Sequence, residues 1–388
     1  MRNEYDYIIA GGGMAGLSLC YHLLRQPALA DRRILLIDRE RRSGHDRTWS
    51  FWEKDPGPFE PLVHHRWSDI VVANEAQVLN RSLTPYIYKL IRSTEFYEHT
   101  YAAIAAAGER VSLVLGDAGD IQTGSKSASV RVGEERYTAD YLFSSLPPDW
   151  GAVHRDAPHY LDQHFRGWFI KTTAPTFQPH RAHLMDFRTD QQGETRFLYV
   201  LPFSTTEALV EVAIFSNHHL QPTDYDQIIK DYLGKNWKLN VRDYEITSTE
   251  MGNIPMTDYP FARNRGRVVS IGMAGGGSRP STGYTFLYVQ RRTQAIARAL
   301  ADEGVLPDRI GAAWPRRHHY YDATILHLLQ NGSISGSDIF TRLFARNPAP
   351  RVLAFLNGES SLLKEQALMR TTPIGKFGPA FMRVLMGV

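Results

Sequence analysis

The chain has 388 residues, 43% of them hydrophobic, and a formal net charge of +3 at pH 7. This length allows one large or two intertwined domains, and the nearly balanced charge gives no reason to expect nucleic-acid binding. The only cysteine is Cys20, which excludes a disulfide within the chain and is typical of a reducing compartment. No stretch holds the ~20 apolar residues that a membrane-spanning helix needs, so we expect any contact with a membrane to be at its surface.

The first strong pattern is a glycine-rich turn between an apolar strand and an apolar helix. Tyr7 to Ala10 predicts the strand, and the next residues fit G-x-G-x-x-G: Gly11, Gly12, Gly13, Met14, Ala15 and Gly16. Gly11 suits a tight turn, Gly13 lets the backbone approach a pyrophosphate, and Gly16 lets helix and strand pack closely. A second apolar strand ends at Asp38, which is placed to accept hydrogen bonds from ribose hydroxyls. A glycine triplet alone could be an ordinary turn, but strand, helix, strand and acid in this order predict a dinucleotide site.

A polar and then aromatic segment, residues 39–52, follows the second strand. Thr48 to Trp52 carries two tryptophans, which a plain surface loop has little reason to hold. These rings either pack into the core or lie along a flat cofactor. In the second case Arg47 would lie near a phosphate or carboxylate, and Trp49 near the cofactor ring or the substrate.

Residues 83–145 mix helix and strand signals. Ser93 is a suitable N-cap for a helix that continues through Ala107. The stretch from Val111 to Val132 alternates around Gly and Asp turns and predicts a short antiparallel insertion. Tyr141 to Ser145 predicts a strand that returns to the nucleotide-binding sheet.

From about Gly151 to Ile254 the apolar runs alternate and are rich in aromatic and β-branched residues, which predicts an antiparallel sheet with one covered face. We interpret this sheet as the substrate domain. Glu211 stands out because apolar residues flank it on both sides. It either faces solvent or lies in an apolar cavity, where desolvation would raise its pKa and make it a usable acid or base. Asp186 has the same setting on a neighbouring run, and a structural role for it is equally open.

A second glycine-rich turn follows a strand at residues 267–271 and leads into a helix that ends near Leu300. It contains the remaining candidate cofactor-binding residues, Gly272, Gly275, Gly283 and Tyr284. Backbone N–H groups from Thr282 to Thr285 are expected to face the pyrimidine edge of a flavin. Together with the helix N-terminus they would stabilise negative charge on its reduced form. The alternative is a glycine-rich loop with no ligand.

The chain is expected to be helical after about Ala301. Beyond Thr341 the basic residues outnumber the acids Glu359 and Glu365; they are Arg342, Arg346, Arg351, Lys364, Arg370, Lys376 and Arg383. A basic and apolar helical cap suits docking on anionic lipid, although an ordinary helical layer fits equally well. The histidine pairs at 64–65, 218–219 and 318–319 lack partners at ligand spacing, so we assign no metal site.

These patterns predict an α/β fold with an inserted antiparallel sheet. Residues 1–150 and 256–300 would form a Rossmann-type FAD-binding domain, and residues 151–255 the substrate domain. Residues 301–388 would form a C-terminal helical region with a membrane-docking surface.

Seven segments together make the chain resemble the bacterial flavin-dependent lycopene cyclases, the soluble-type β-cyclases, nearly from end to end. The segments are 46–52, 163–168, 184–187, 199–204, 208–211, 250–256 and 280–284. The resemblance implies a flavoprotein fold of the glutathione-reductase-2-like kind, reduced FAD as the active cofactor, NAD(P)H as its reductant and lycopene as substrate. Because that substrate lives in lipid, it also implies a cytoplasmic protein bound peripherally to the inner face of the cell membrane.

The resemblance places Glu211 at the first acid of a Glu-Glu-Thr or Glu-Asp-Thr motif. Val212 and Ala213 stand where the second acid and the threonine are expected, so the proton-handling role falls on Glu211. Met273 stands where many related flavoproteins carry an aspartate that holds the flavin ribityl-phosphate arm. The family often lacks that aspartate too.

The implied reaction converts lycopene to β-carotene via γ-carotene by protonation, ring closure and deprotonation. Glu211 and Asp186 are the candidate catalytic residues, and Trp49 and Trp168 are expected to contact the substrate. With Tyr284 they could stabilise a carbocation through cation–π contacts. Two other functions fit the same residues. One is a flavin monooxygenase or reductase acting on a prenyl or aromatic substrate, and the other is a prenyl-binding escort protein without chemistry.

Overall fold

A computed structural model describes residues 3–307, 310 and 315–387. Within this part of the chain the strands are β1 (Glu4–Ala10), β2 (Ile34–Asp38), β3 (Thr48–Glu53), β4 (His65–Trp67), β5 (Asp69–Asn74), β6 (Gln77–Ser82), β7 (Ile87–Arg92), β8 (Val111–Leu115), β9 (Ala118–Thr123), β10 (Ala128–Val132), β11 (Glu135–Ser144), β12 (Tyr160–Thr172), β13 (Arg181–Asp186), β14 (Thr195–Pro202), β15 (Glu207–Ser216), β16 (Tyr244–Thr257), β17 (Asn264–Arg265) and β18 (Val268–Ser270). The helices are α1 (Met14–Leu24), α2 (Ser93–Ala106), α3 (Trp150–Asp156), α4 (Pro222–Tyr232), α5 (Phe286–Glu303), α6 (Arg317–Gln330), α7 (Gly336–Arg346), α8 (Ala349–Leu356), α9 (Leu362–Met369) and α10 (Ile374–Met386).

The first sheet carries the predicted nucleotide-binding pattern. Its order is β17–β18–β11–β1–β2–β8, and the strands from β18 to β8 run parallel. The last three residues of β1, Ile8 to Ala10, are fully buried, as expected for a parallel sheet covered on both faces. The antiparallel insertion predicted for residues 111–132 is present only in part. Strands β9 and β10 form it with β11, whereas β8 extends the parallel sheet beside β2.

The second sheet has the order β16–β12–β15–β14–β13–β5–β6. Strands β16 to β13 pair antiparallel, as predicted for residues 151–254, and β13 pairs with β5 in parallel. Residues 69–82, which the sequence placed in the first domain, therefore belong to the second sheet by strand pairing. Ile70 and Val72 pack into the same core as β13 and β14, a long-range contact that local patterns do not encode.

Strand alternation gives this second sheet two different faces. On one face, which we call the α4 face, Trp168, Leu198 and Val212 pack against residues of α4. On the other, which we call the inner face, Tyr199 and Phe197 pack into the largest core, together with residues of the small sheet β3–β7–β4 and of the C-terminal helices. The inner face is therefore the one turned toward the rest of the protein.

The described part of the C-terminal region is helical from Arg317 onward, as expected; residues 308–309, 311–314 and 388 of the predicted helical region lie outside the described residues. Helices α6 to α10 follow one another from Arg317 to Met386, and α10 packs on α6. Residues of α6, α7 and α8 join the core beneath the inner face of the second sheet. None of the described helices combines the length and the apolar character needed to cross a membrane.

Candidate functional site

The first glycine turn has the geometry that its sequence predicts. Gly11 adopts a left-handed φ of +102°. A Cβ at Gly16 would lie 1.9 Å from the carbonyl oxygen of Gly11, so only glycine lets α1 pack this closely on the turn. Nothing lies within 4 Å of the position that a Cβ at Gly13 would occupy. Gly13 directly precedes α1, so the space beside it adjoins the positive end of a helix and suits a phosphate.

Asp38 lies beside this turn at the end of β2. Its Oδ2 accepts a hydrogen bond from the backbone N–H of Gly12 at 3.0 Å and one from Nε of Arg42 at 3.2 Å. The glycine turn and Asp38 are thus held together in the arrangement that dinucleotide-binding proteins use to bind the pyrophosphate and the ribose. The predicted site residues Gly11, Gly13, Met14, Ala15, Gly16 and Asp38 are brought to one place.

The second glycine stretch closes against the first. Gly272 has a φ of +62°, and a Cβ there would lie 2.9 Å from the Cβ of Ala15. A Cβ at Gly283 would lie 2.4 Å from Oε1 of Gln163, so this loop also contacts the inner face of the second sheet. Gln163 Oε1 and Thr282 Oγ1 are buried polar atoms with no hydrogen-bond partner among the described residues. Both fit a site that receives a polar ligand such as the flavin ring, since buried polar atoms are normally paired.

Two of the backbone donors expected to face a flavin are used within the loop itself. The N–H groups of Thr282 and Gly283 both donate to the carbonyl oxygen of Arg279, at 3.2 and 2.8 Å. Arg279 is completely buried and forms an ion pair with Asp322 of α6. This arginine therefore anchors the loop to the C-terminal helices.

The central feature of the inner face is a pair of carboxyl groups on strands that flank a glycine. Gly167 on β12 is in register with Glu211 of β15 on one side and with Glu250 of β16 on the other. Neighbouring strands lie ~4.8 Å apart, so only the missing side chain at Gly167 lets the two carboxyl groups meet above the middle strand. A Cβ at Gly167 would lie 3.2 Å from Oε2 of Glu211 and 3.2 Å from Cγ of Glu250.

Both carboxyl groups have raised pKa values. Burial, followed by the nearby charge of Glu250, raises the pKa of Glu211 well above its usual range. Burial also raises the pKa of Glu250, to about 7, although a hydrogen bond from Thr48 lowers it. The hydroxyl of Thr48 donates to Glu250 at 3.0 Å. Glu211 is deeply placed yet keeps some accessible surface, which is typical of a group that lines an internal space.

Tyrosines surround the Glu211 end of the pair. Tyr199 is directly opposite Glu211 in the strand register. The hydroxyl groups of Tyr88 and Tyr284 lie 3.5 Å apart, and the ring of Tyr284 packs edge-on against Trp52 at 4.3 Å. Burial raises the pKa of Tyr88, Tyr199 and Tyr284 well above the usual range, so all are neutral phenols at physiological pH. Glu211 therefore lies in an aromatic environment of low polarity.

Arg47 lies at the rim of this site. Its guanidinium pairs with Asp46 at 3.3 Å and is about half exposed. It is close enough to Glu250 for its charge to lower the pKa of that carboxyl group. Ser93, the predicted start of α2, fixes the segment, because its Oγ accepts from the backbone N–H of Asp46 at 3.0 Å.

Asp186 and Trp168 lie on the α4 face, away from the carboxyl pair. The Asp186 carboxylate accepts hydrogen bonds from the Arg188 guanidinium at 2.8 Å and from the Tyr232 hydroxyl at 2.7 Å. Burial would raise the pKa of Asp186, but these hydrogen bonds offset it and hold the pKa below its usual range. Trp168 donates from Nε1 to Asp226 of α4 at 2.7 Å. Neither residue faces Glu211.

Trp49 lies on the side of β3 that faces away from the site, because side chains alternate between the two sides of a strand. Its ring packs edge-on against Phe96 at 5.2 Å and stacks with Phe286, in the core around α1 and α2. Its neighbour Thr48 points the other way and reaches Glu250. Trp52 shares the Thr48 side of the strand and contacts Tyr284. Of the two tryptophans in this segment, Trp52 is the one next to the site.

The functional residue that sequence reasoning missed is Glu250. It lies inside a segment that carries the resemblance, but β16 has exposed residues at most neighbouring positions, so no local pattern marks it as buried. A usable signal is Gly167 in the middle of a long strand, because an interior glycine often marks the close approach of other groups.

Comparison with known proteins identifies a matching family and relatives at 27–28% identity. A family model described as Lycopene cyclase protein matches residues 6–381. The chain is 28% identical to a lycopene beta-cyclase from Pantoea ananas, over 74% of this chain and 72% of that protein. It is 27% identical to a lycopene beta-cyclase from Pseudescherichia vulneris, over 98% of this chain and 97% of that protein.

Solved structures share the fold at lower identity. A geranylgeranyl bacteriochlorophyll reductase-like protein from Thermoplasma acidophilum matches with a TM-score of 0.64 and 12% identity over 99% of both chains. A flavin-dependent brominase matches with a TM-score of 0.59 and 15% identity, over 99% of this chain and 98% of that chain. The expected fold is thus confirmed as the mixed α/β fold of FAD-dependent oxidoreductases and monooxygenases. On the evidence of the family model, this chain belongs to the lycopene cyclase family.

Proposed function

We propose that this protein is a lycopene β-cyclase that converts lycopene to β-carotene via γ-carotene, a net isomerisation. The observation that carries the proposal is Glu211, a carboxyl group with a raised pKa in a buried aromatic environment, on the face of the sheet that also contacts Gly283. Such a group stays protonated near neutral pH and can give its proton to a hydrocarbon.

We assign FAD as the cofactor, with NAD(P)H as the source of its electrons. Gly13 and the start of α1 would hold the pyrophosphate, Asp38 the ribose, and the loop around Gly283 the flavin ring. Reduced FAD would supply negative charge beside the substrate cation. Gln163, which contacts Gly283, lies four residues before Gly167 on the same side of β12, a distance of ~13 Å along the strand.

The chain supplies both proton transfers. Glu211 protonates the terminal double bond of the polyene, and the resulting carbocation is attacked by an internal double bond, which forms the new carbon–carbon bond of the ring. Tyr284 lies close enough to Glu211 for the carboxyl charge to raise its pKa, and its ring would stabilise the cation by cation–π interaction. A ring proton then returns to the carboxylate. One proton is added and one is lost, so nothing is oxidised.

The C-terminal helices suit contact with a membrane surface. Helices α9 and α10 expose large apolar side chains, including Leu363 at 79% and Ile374 at 64% of their surface. Lys364, Arg370 and Lys376 are exposed among them and suit anionic headgroups. A cavity of about 340 Å³ opens between the helices from α6 to α10, and most of the residues that line it are apolar. We infer that the protein binds the cytoplasmic face of the membrane peripherally and takes up its substrate there.

Product analysis tests this function directly. Purified protein with reduced FAD is given lycopene without oxygen, and the product is analysed by mass and absorption. A cyclase leaves the mass unchanged, alters the absorption and uses NAD(P)H only in catalytic amounts. A hydrogenated product, formed with one NAD(P)H consumed per turnover, would show a reductase instead, and an oxygenated product in a parallel assay with oxygen would show a monooxygenase. Unchanged lycopene bound to the protein would show an escort protein.

A further inference from the structure

The inner face carries a second carboxyl group that the reaction above leaves without a role. We propose that Glu250 is a positioning residue that keeps one shared proton on Glu211 across the gap left by Gly167, so that the pair carries one proton and one negative charge. This inference rests on the proposed function, because it concerns the same proton transfer.

The strand register fixes the two groups on one side of the sheet. Glu211, Gly167 and Glu250 form one cross-strand row, so their side chain positions share the inner face. Glu250 is 6% exposed, and it approaches Glu211 within hydrogen-bonding reach. Two ionised carboxylates this close repel each other strongly in a buried site, so the pair binds one proton and shares it.

The surroundings of the two carboxyl groups differ and decide where the proton resides. The Thr48 hydroxyl lies 3.0 Å from Oε1 and 3.3 Å from Oε2 of Glu250, and the charge of Arg47 also favours ionised Glu250. Glu211 faces neutral phenols instead, among them Tyr199 and Tyr284. The negative charge is therefore stabilised on Glu250 and the proton on Glu211, which is the arrangement that proton donation requires.

A second acid directly after Glu211 could not serve as its partner. Val212 points to the α4 face, where it packs in the core with Leu198 and Tyr225. A carboxyl group at position 212 would be separated from Glu211 by the sheet itself. Across β12, Glu250 supplies the second carboxyl group on the side where Glu211 lies.

The pair can complete a catalytic cycle without a net gain or loss of protons. Glu211 gives its proton to the polyene and becomes a carboxylate beside the ionised Glu250. Repulsion between the two charges makes the pair a strong proton acceptor, so it readily removes the ring proton in the last step. That proton restores the starting state, with Glu211 protonated and Glu250 ionised.

The proposal predicts a bell-shaped dependence of cyclisation on pH. The acidic limb reports protonation of Glu250, whose pKa is about 7, and the alkaline limb reports loss of the shared proton. The ionisable groups that face the pair are Arg47 from the loop before β3, Tyr88 from β7, Tyr199 from β14 and Tyr284 from the loop before α5. The three tyrosines stay neutral across this pH range because burial raises their pKa values, so they contribute to neither limb.

Replacing Glu250 by Gln tests the assignment. The amide cannot titrate, so Glu250→Gln should lose the acidic limb. Its alkaline limb should move about one pH unit or more toward lower pH, because the negative charge that raises the pKa of Glu211 is gone. The matched control is Glu245→Gln, which removes the same charge from an exposed position of β16 and should keep both limbs. A Glu250→Gln protein that keeps the wild-type profile, or loses activity equally at every pH, overturns the proposal.

Two milder variants keep the test decisive if Glu250→Gln does not fold. Thr48→Val preserves shape but removes the hydrogen bond to Glu250, so its acidic limb should move to higher pH while the alkaline limb stays. Gly167→Ala adds a methyl group 3.2 Å from each partner and should push the carboxyl groups apart, which moves the alkaline limb to lower pH. Unchanged limbs in both variants would contradict the pair.

An infrared measurement provides a readout that needs no substrate. At a pH well above 7, where Glu250 is ionised, the protein without FAD should show the carbonyl stretch of one protonated carboxyl group of the pair, and Glu211→Gln should remove it. If the band persists in Glu211→Gln, the shared proton is not on Glu211. Failure of the wild-type protein to cyclise lycopene would instead refute the proposed function, independently of the infrared result.

Discussion

Two glycines of the first turn, Gly13 and Gly16, should respond in opposite ways to replacement by alanine. A Cβ at Gly16 would lie 1.9 Å from the carbonyl oxygen of Gly11. A carbon and an oxygen in contact need about 3.3 Å. The turn at Gly11 and the start of α1 would therefore have to move apart by about 1.4 Å, the difference between this contact distance and 1.9 Å. At Gly13 the added methyl group has nothing within 4 Å, and the φ of −78° suits alanine.

The two variants therefore separate stability from cofactor binding. Gly16→Ala should lower the free energy of unfolding by about 3 kcal/mol, because the core cannot accept the methyl group without moving the backbone. Gly13→Ala should change it by no more than about 0.5 kcal/mol. It should nevertheless weaken FAD binding by roughly tenfold or more, because the methyl group occupies the space where a pyrophosphate approaches.

Chemical denaturation of the protein without FAD measures the first effect, and titration of flavin fluorescence measures the second. Wild-type FAD affinity in Gly13→Ala would show that the turn does not hold the pyrophosphate. Wild-type stability in Gly16→Ala would contradict the close contact between α1 and the carbonyl oxygen of Gly11.

Three further predictions concern the rest of the structure. Asp186→Asn should lower the free energy of unfolding by about 3 kcal/mol at neutral pH, because Arg188 loses its buried partner. Since the Asp186 pKa is depressed in the folded state, this stabilisation is present above the ordinary carboxyl pKa and is lost as pH falls, so thermal unfolding of wild type and variant should converge in acid. Equal stability at neutral pH would contradict the ion pair. Tyr284→Leu should lower kcat about tenfold, whereas Tyr284→Phe keeps the aromatic face and should retain most of it. Equal kcat in both would exclude the cation–π contact. The double variant Leu363→Asp, Leu385→Asp changes two exposed side chains of α9 and α10 outside the cavity. It should sediment less with anionic vesicles than the wild type, while its turnover of detergent-solubilised lycopene stays unchanged. Undiminished sedimentation would place the membrane contact elsewhere.

Local patterns predict the parts of this protein that form from neighbouring residues. The first glycine turn, α1 and β2 lie within 35 residues of each other, from Glu4 to Asp38, and each part of the motif has its own conformational requirement. The same holds for Glu211, whose apolar neighbours on both sides indicate a buried strand. These features were predicted, and the structure brings the motif residues together.

Features that depend on long-range strand register could not be predicted in this way. Whether Asp186 and Trp168 face the substrate or α4 is decided by which side of the sheet the helix covers, and the sequence of one strand does not reveal it. The same ambiguity separates Trp49 from Trp52 on β3. Glu250 reaches Glu211 only because two different strands pair with β12 at Gly167.

The most direct test of the central claim is the rate of lycopene cyclisation by Glu211→Gln. The variant protein must bind FAD normally and unfold at the wild-type temperature, and it is compared with wild type under reduced, oxygen-free conditions. We expect the rate to fall by about 10² to 10⁴, the usual contribution of a general acid, with no change in flavin content. A Glu211→Gln protein that folds, binds reduced FAD and cyclises lycopene at the wild-type rate would contradict the account.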